Sequence, residues 1–384
     1  MTRVLYVNHT SKVSGAEHTL LDLLRGLPPE VEPVVTSPSG RLSEEVKALG
    51  VPHAPLRECE LSLKLDPRGT PRALFQLLAA GREAGRVARS VGARFVHAFS
   101  VRAALGCGLG SDVRMVAHAH DALGRGPASR SVAEVLSRRS RLILAASGYV
   151  ADRLPAGRGR APVAVVDNPV DAEKFDPSDA SGTLARMELG IPDDAYVLAV
   201  IAQITPWKGQ DTAMRVLAGL RDRGLDAHLL VVGSPVFTET LTRHDNVAFR
   251  RSLEQLRNTL GLECRAHFLG ERDDIPALLA ATDLTLVPSW EEPFGRVVVE
   301  SMAMKVPVLA TSNGGPPSIL SDGGGAALDP EDIERWVDTA ERLLLNPGER
   351  ARMGEKGAAV ATGRFALDGW VERVLDAYGL VEAE

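Results

Sequence analysis

Residues 284–311 read LTLVPSWEEPFGRVVVESMAMKVPVLAT. The apolar run at 284–287 has the length and composition of a buried strand, and VPVLAT at 306–311 reads as another. Between them Pro293 and Gly295 shape a turn, and a helical pattern begins near Arg296. Strand, turn, helix and strand in succession is the alternation of an α/β domain with a parallel sheet. One residue fits such a core poorly. Glu300 stands among Val297, Val298, Val299 and Met302, and a buried carboxylate is costly unless something pairs with it. Glu300 therefore points to solvent or meets a polar group at that place.

The same alternation runs outward in both directions. Upstream, VLYVNH, PVVTS, FVHAF, RMVAHAH, LILAAS and VAVVDN read as strands, with helical patterns such as AEHTLLDLLRGL and PRALFQLLAAGREAGRVARSVG between them. A second series starts near residue 196 with YVLAVIAQ, AHLLVVGS, AHFLG, LTLVPS, VPVLAT and GAALD. The polar, turn-rich DPSDASGTLARMELGIPDDA between the two series reads as an interdomain linker, with a boundary near residue 190. The expectation is α/β, two doubly wound Rossmann-like domains facing a central cleft, over residues 1–190 and 191–365. Ligands of such sheets bind beyond the carboxyl ends of the strands.

Composition narrows the function classes. The chain has 384 residues, a net charge of −6, and 45% hydrophobic and 24% charged residues, as in ordinary globular proteins. No apolar run approaches the length of a membrane span. MTRVLYVNHT at the N-terminus lacks a signal-peptide cleavage pattern, and the expected location is cytoplasmic. Cys59, Cys107 and Cys264 form neither a disulfide framework nor a CxxC pair and are read as reduced and structural. The nine His residues form no HExxH-like cluster. Residues 1–190 carry 25 Lys+Arg against 20 Asp+Glu, and the rest 19 against 30. A basic first half suits an anionic acceptor or a peripheral membrane contact, but RGPASRSVAEVLSRRSRLILA is read first as a solvated helix face. The arginines lack interleaved aromatics, so no nucleic-acid partner is expected.

Four places carry candidate chemistry. Glu291 and Glu292 follow the strand LTLVPS, and Gly295 precedes a helix whose free N–H groups suit an anion. Glu292 is placed to take hydrogen bonds from sugar hydroxyls, and Glu300, further along the helix, from a ribose diol. In AQITPWKGQD, Lys208 lies at a strand end, where an ammonium neutralises phosphate. In NHTSKVSGAEHTLLDLL, a loop with Ser14 and Gly15 opens a helix and lacks the GxGxxG spacing of a nicotinamide site. In VAHAHDAL, His118 and His120 are two apart and share one side of a strand, with His120 and Asp121 at its end.

Together these residues resemble the retaining glycosyltransferases of family 4, which have the GT-B fold. Glu292 and Glu300 match the family's Glu-x7-Glu motif with EPFG in place; WKG, SGAEHTLLDLL, HD, DNPVDAEKF and AHFLGERDDIPALLAATDLTLVPS are also similar, so the likeness spans nearly the whole chain. The resemblance implies a nucleotide-sugar donor, UDP first and GDP second, and no metal. It implies that Glu300 binds the donor ribose. Glu292 holds the sugar, together with backbone N–H groups around Phe294, Gly295 and Arg296. Lys208 meets the leaving diphosphate, and Gly15 lets its loop approach it. His120 touches the transferred sugar, and Gly270 to Arg272 border the base. Residues 366–384 would form a helix returning to the N-terminal domain.

Three positions depart from the pattern. Gln203 stands where the family usually has a phosphate-binding arginine, which leaves Arg272 or Arg296 to compensate. Lys305 stands for a usual glycine, and Ser318 for a frequent glutamate. The acceptor is left open among specialised metabolites, small thiols or polyols, and cell-envelope glycans. A sugar-nucleotide epimerase and a non-catalytic sugar-nucleotide-binding protein remain the alternative readings.

Overall fold

The computed structural model describes residues 1–57, 69–236 and 245–382. It divides into two compact units, Met1–Pro169 with Leu367–Glu384, and Val170–Ala366.

Unit one is built on seven parallel strands: β1 (Thr2–Val7), β2 (Val31–Ser37), β3 (His53–Pro55), β4 (Phe95–Ala98), β5 (Met115–Ala119), β6 (Leu142–Ala145) and β7 (Val163–Val165), in the order β3-β2-β1-β4-β5-β6-β7. Val4, Leu5 and Tyr6 are all fully buried, because a central parallel strand is covered on both faces and needs no polar alternation. Leu5 and Val7 join a core with Val96, Ala117 and Ile143, whereas Val4 and Tyr6 join another with Phe95, Val116 and Leu144. The period of two thus assigns alternate residues to opposite faces. The edge strand β3 was not expected; three residues leave too little pattern to read. The helix Leu367–Glu382 supplies Trp370, Val374 and Tyr378 to the second of these cores.

Unit two repeats the plan with six parallel strands: β8 (Tyr196–Ile201), β9 (Ala227–Val232), β10 (Ala266–Gly270), β11 (Leu284–Val287), β12 (Val308–Thr311) and β13 (Gly325–Leu328), ordered β10-β9-β8-β11-β12-β13. All six strands expected from the sequence are present. Strand order reverses between the neighbours β8 and β11. That is the topological switch point, where doubly wound sheets open a crevice at their carboxyl ends.

The division between the units falls at Pro169 and Val170, earlier than the expected boundary near residue 190. The stretch read as a linker contains a helix, Gly182–Glu188. Its Ala185 is buried with Ile191, Ala195, Val197 and Leu278, so the segment is part of unit two's core. Its polar residues face outward and give it the composition of a linker. The return to unit one begins at Leu367, one residue after the expected 366. Cys107 is buried, which raises its thiol to about 12, and Cys264 is exposed and therefore not a core residue; Cys59 lies outside the described residues.

Among the described residues no helix is long and apolar enough to cross a membrane.

Candidate active site

The carboxyl ends of β8 and β11 bring two expected site residues together. After β8 the chain makes a single 3-10 turn, Pro206–Lys208, before the helix Gln210–Asp222. After β11 it passes Ser289, Trp290 and Glu292. The two loops are joined by backbone, with Trp290 N–H donating to the carbonyl of Trp207 at 3.0 Å. The Lys208 ammonium then donates to Oε2 of Glu292 at 2.7 Å, with side-chain exposures of 21% and 9%. The hydroxyl of Ser289 donates to the same oxygen at 2.9 Å. Sequence reading missed Ser289 as a partner of Glu292.

Glu292 is fixed by its backbone as well. Its N–H donates to Asn313 O, and its carbonyl accepts from Gly315 N–H, each at 2.9 Å. Gly314 between them has φ of 127°, and a Cβ there would lie 1.9 Å from the Glu292 carbonyl oxygen. Only glycine permits that approach. The 313–315 loop thus belongs to the site, which the sequence alone did not show.

The helix Arg296–Ala303 starts directly after this anchor. Gly295 before it has φ of 99°, the left-handed region, and a Cβ there would lie 3.2 Å from Cγ of Glu292. Phe294 is 3% exposed and packs edge-on against Phe365, so its ring belongs to the core and only its backbone borders the site. Glu300, whose side chain is 15% exposed, does have a partner: Nε of Arg296 donates to its Oε1 at 3.3 Å, one helical turn away. This answers how a carboxylate is tolerated among valines.

Gln203 does not project an obvious charge substitute. Its backbone carbonyl accepts from Nε2 of the fully buried Gln210 at 2.9 Å, which closes the loop after β8. Gly270 ends β10, and its carbonyl accepts from Gly233 N–H at 2.7 Å. Arg272 is committed to two carboxylates. It donates to Asp274 at 2.7 and 2.6 Å and to Glu188 at 2.8 and 3.2 Å. Those bonds, Asp274 first, hold its guanidinium above its ordinary range.

In unit one, Ser14 caps the helix Gly15–Gly26, and its N–H and hydroxyl both donate to Glu17 at 3.1 and 2.6 Å. The other Glu17 oxygen accepts from Asn8 Nδ2 at 3.0 Å. The loop leading to the exposed Gly15 is therefore tied at both ends. His120 follows β5, is 9% exposed, and stacks on His118 with ring centroids 4.1 Å apart, consistent with their sharing one side of the strand. Behind it runs a buried polar chain: His118 Nδ1 lies 3.3 Å from His97 Nε2, and His97 Nδ1 lies 2.7 Å from the Tyr378 hydroxyl. Burial lowers His97 to about 3 and His118 well below the ordinary histidine value, so both are neutral.

Two Rossmann-like parallel sheets in one chain form the GT-B architecture of glycosyltransferases, and HepE of Anabaena, crystallised with UDP and glucose, matches it with a TM-score of 0.82 at 22% identity over 99% of this chain and 100% of that one. Sucrose-phosphate synthase from Thermosynechococcus elongatus matches at 0.79 with 16% identity over the whole of both chains. The family description "Glycosyltransferase Family 4" matches residues 13–174, and "Glycosyl transferases group 1" matches residues 183–360. The chain belongs to glycosyltransferase family 4. The D-inositol 3-phosphate glycosyltransferase of Salinispora tropica is 34% identical over 276 residues, 67% of this chain and 55% of that protein. The protein of the same name from Salinispora arenicola is 34% identical over 269 residues, 66% and 58% respectively. The chain thus spans a little over half the length of these curated relatives.

Proposed function

We propose that the chain is a retaining glycosyltransferase that moves a hexosyl group from a nucleoside diphosphate sugar, with UDP as the first candidate and GDP as the second. The observation that carries this reading is the meeting of Lys208 and Glu292 at the β8–β11 switch point, beside a helix that carries Glu300. The loop after β8 offers an ammonium to a diphosphate. The loop after β11 offers a fixed carboxylate to sugar hydroxyls, and Glu300 offers a carboxylate to a ribose diol. Relatives of this fold crystallised with UDP-glucose support the donor class.

In the reaction, the bond between the anomeric carbon and the β-phosphate oxygen breaks as the acceptor oxygen bonds to that carbon on the same face. The acceptor's proton passes to the departing phosphate oxygen, so no enzymic nucleophile is needed. Lys208 and the N–H groups at Phe294, Gly295 and Arg296 stabilise the charge that develops on the diphosphate. Gly270 to Arg272 border the base. In unit one the same reading gives His120 contact with the transferred sugar and gives Gly15 the approach to the diphosphate. The acceptor class favoured is a polyol or its phosphate, on the names of the curated relatives.

The test is calorimetric titration with UDP and then GDP, on the wild type and on Glu300→Ala. Saturable binding of one nucleotide, weakened by the substitution, supports the reading. A hydrogen bond to a charged group is worth about 1.5–3 kcal/mol, so the loss should be about ten- to hundredfold. Folded wild type that binds neither nucleotide sinks the assignment.

A further inference from the structure

Resting on the reading of unit two as a nucleotide-sugar site, we propose that Trp290 is the apolar half of its hexose recognition. The indole packs against the C–H face of the donor's sugar ring while Glu292 takes the hydroxyls. Of the chain's four tryptophans, Trp336 and Trp370 are fully buried, the usual fate of so large an apolar side chain. Trp290 is 42% exposed. Among the described residues, the bonds that Trp290 makes are through its backbone. Its N–H donates to Trp207 O at 3.0 Å, and its carbonyl accepts from Nδ2 of Asn313 at 3.1 Å. The carbonyl of that same Asn313 accepts from Glu292 N–H at 2.9 Å. One residue thus fixes the backbone of both Trp290 and Glu292, and the loop after β8 ties Trp290 from the other side. An open ring on a backbone tied at both ends has little freedom left to lose when a ligand covers it.

Its place in the sheet decides which part of the ligand covers it. Trp290 follows β11, two residues before the carboxylate proposed for the sugar hydroxyls. The base is assigned to Gly270 to Arg272, after β10. The order β10-β9-β8-β11 sets three strand spacings, about 14 Å, between those two strand ends. The ring that meets Trp290 is therefore the sugar and not the base. A hexose in its ring form suits both neighbours. Its hydroxyls make a polar edge for Glu292, and its axial C–H bonds gather into an apolar face for the indole. Small-ligand sites commonly combine aromatic walls with a few fixed polar groups in this way.

Comparing a nucleotide with its sugar conjugate separates this role from a merely structural one. UDP and UDP-glucose are titrated calorimetrically into wild type, Trp290→Ala and Trp290→Phe, with GDP and GDP-glucose in their place should GDP be the nucleotide bound. Circular dichroism checks each variant for folding. Trp290→Ala is expected to weaken UDP-glucose about five- to thirtyfold, the effect of uncovering roughly 40–80 Å² of apolar surface, and to leave UDP within about twofold. Trp290→Phe should lie between, because it keeps a smaller aromatic face, and it serves alone if the Ala variant fails to fold. In wild type the indole emission should shift to shorter wavelength with UDP-glucose more than with UDP, and Trp290→Phe should lose that difference. Equal losses for UDP and UDP-glucose would show that Trp290 only supports its loop, and unchanged UDP-glucose affinity would leave its ring outside the site; either overturns the inference while the nucleotide site stands. Wild type that binds neither nucleotide overturns the proposed function and this inference together.

Discussion

The ammonium of Lys208 lies 2.7 Å from Oε2 of Glu292, across 84 residues of sequence and between the loops of two adjacent strands. The contact couples the group proposed for the diphosphate to the group proposed for the sugar. Neither charge is isolated, and Ser289 donates to the same carboxylate oxygen.

Lys208→Ala should therefore do two things. It leaves the Glu292 carboxylate with Ser289 as its remaining side-chain partner in a mostly buried place. Breaking a buried pair costs about 3–5 kcal/mol, and the partial exposure of Lys208 puts this one at or below the low end. Urea unfolding of Lys208→Met, Glu292→Gln and the double variant tests the coupling. The double variant should lose less than the two single losses added together, and strict additivity would mean the contact contributes nothing. In a donor-hydrolysis or transfer assay, Lys208→Ala should lower turnover more than donor affinity. A loss confined to the Michaelis constant would remove its role in the reaction.

Lys305 is the one non-glycine residue with positive φ among the described residues, at 59°. It follows the helix Arg296–Ala303, where Val306 N–H donates to Ser301 O and Lys305 N–H to Met302 O, a Schellman ending. A left-handed residue with a side chain costs roughly 1–2 kcal/mol, and the exposed bond from Lys305 to Glu355 returns little of it. Lys305→Gly should raise stability by up to about 1 kcal/mol, read as a higher urea midpoint with an unchanged slope. A lower midpoint would show that glycine's added freedom in the unfolded chain outweighs the relief.

Acid should loosen unit one before its carboxylates titrate. His97, fully buried, has its value lowered to about 3, and His118 is lowered well below the ordinary histidine value, both chiefly by burial. In the unfolded chain each takes a proton near pH 6.5. Between that pH and about 3 the unfolded state binds more protons, so stability is fully present above 6.5 and falls as the pH drops. The expected decline approaches about 1 kcal/mol per pH unit for each histidine. Denaturant midpoints from pH 7 to 5 test it, with His118→Phe predicted to flatten the slope. An unchanged slope in that variant would mean that His118 takes up its proton in the folded state as readily as in the unfolded chain.

The fold was legible where burial was complete. Central strands such as β1, β8 and β11 are covered on both faces, so their apolar runs stand out without any partner being known. The three-residue β3 carries too little pattern, and the Gly182–Glu188 helix buries only a narrow strip, so its outward polar residues made it look like a linker. The site was legible one residue at a time. Lys208, Glu292 and Glu300 each stand at a strand end or helix start that the sequence marks. The meeting of Lys208 and Glu292 was not legible, because the order β8-β11 decides it and no local spacing encodes it. The same is true of Arg272, whose attachment to Glu188 depends on a helix that the sequence concealed.

The helix Leu367–Glu382 has a consequence for how the protein is made. Trp370, Val374 and Tyr378 are synthesised after the whole of unit two, yet they complete a core begun by Val4 and Tyr6. Residues 170–366 are continuous and have all their own strands once synthesised, so unit two can finish folding first. Unit one must wait with an apolar face open until the residues from Leu367 on have been made. Its chaperone demand and its sensitivity to premature stop codons should both exceed those of the unit that follows it in the chain.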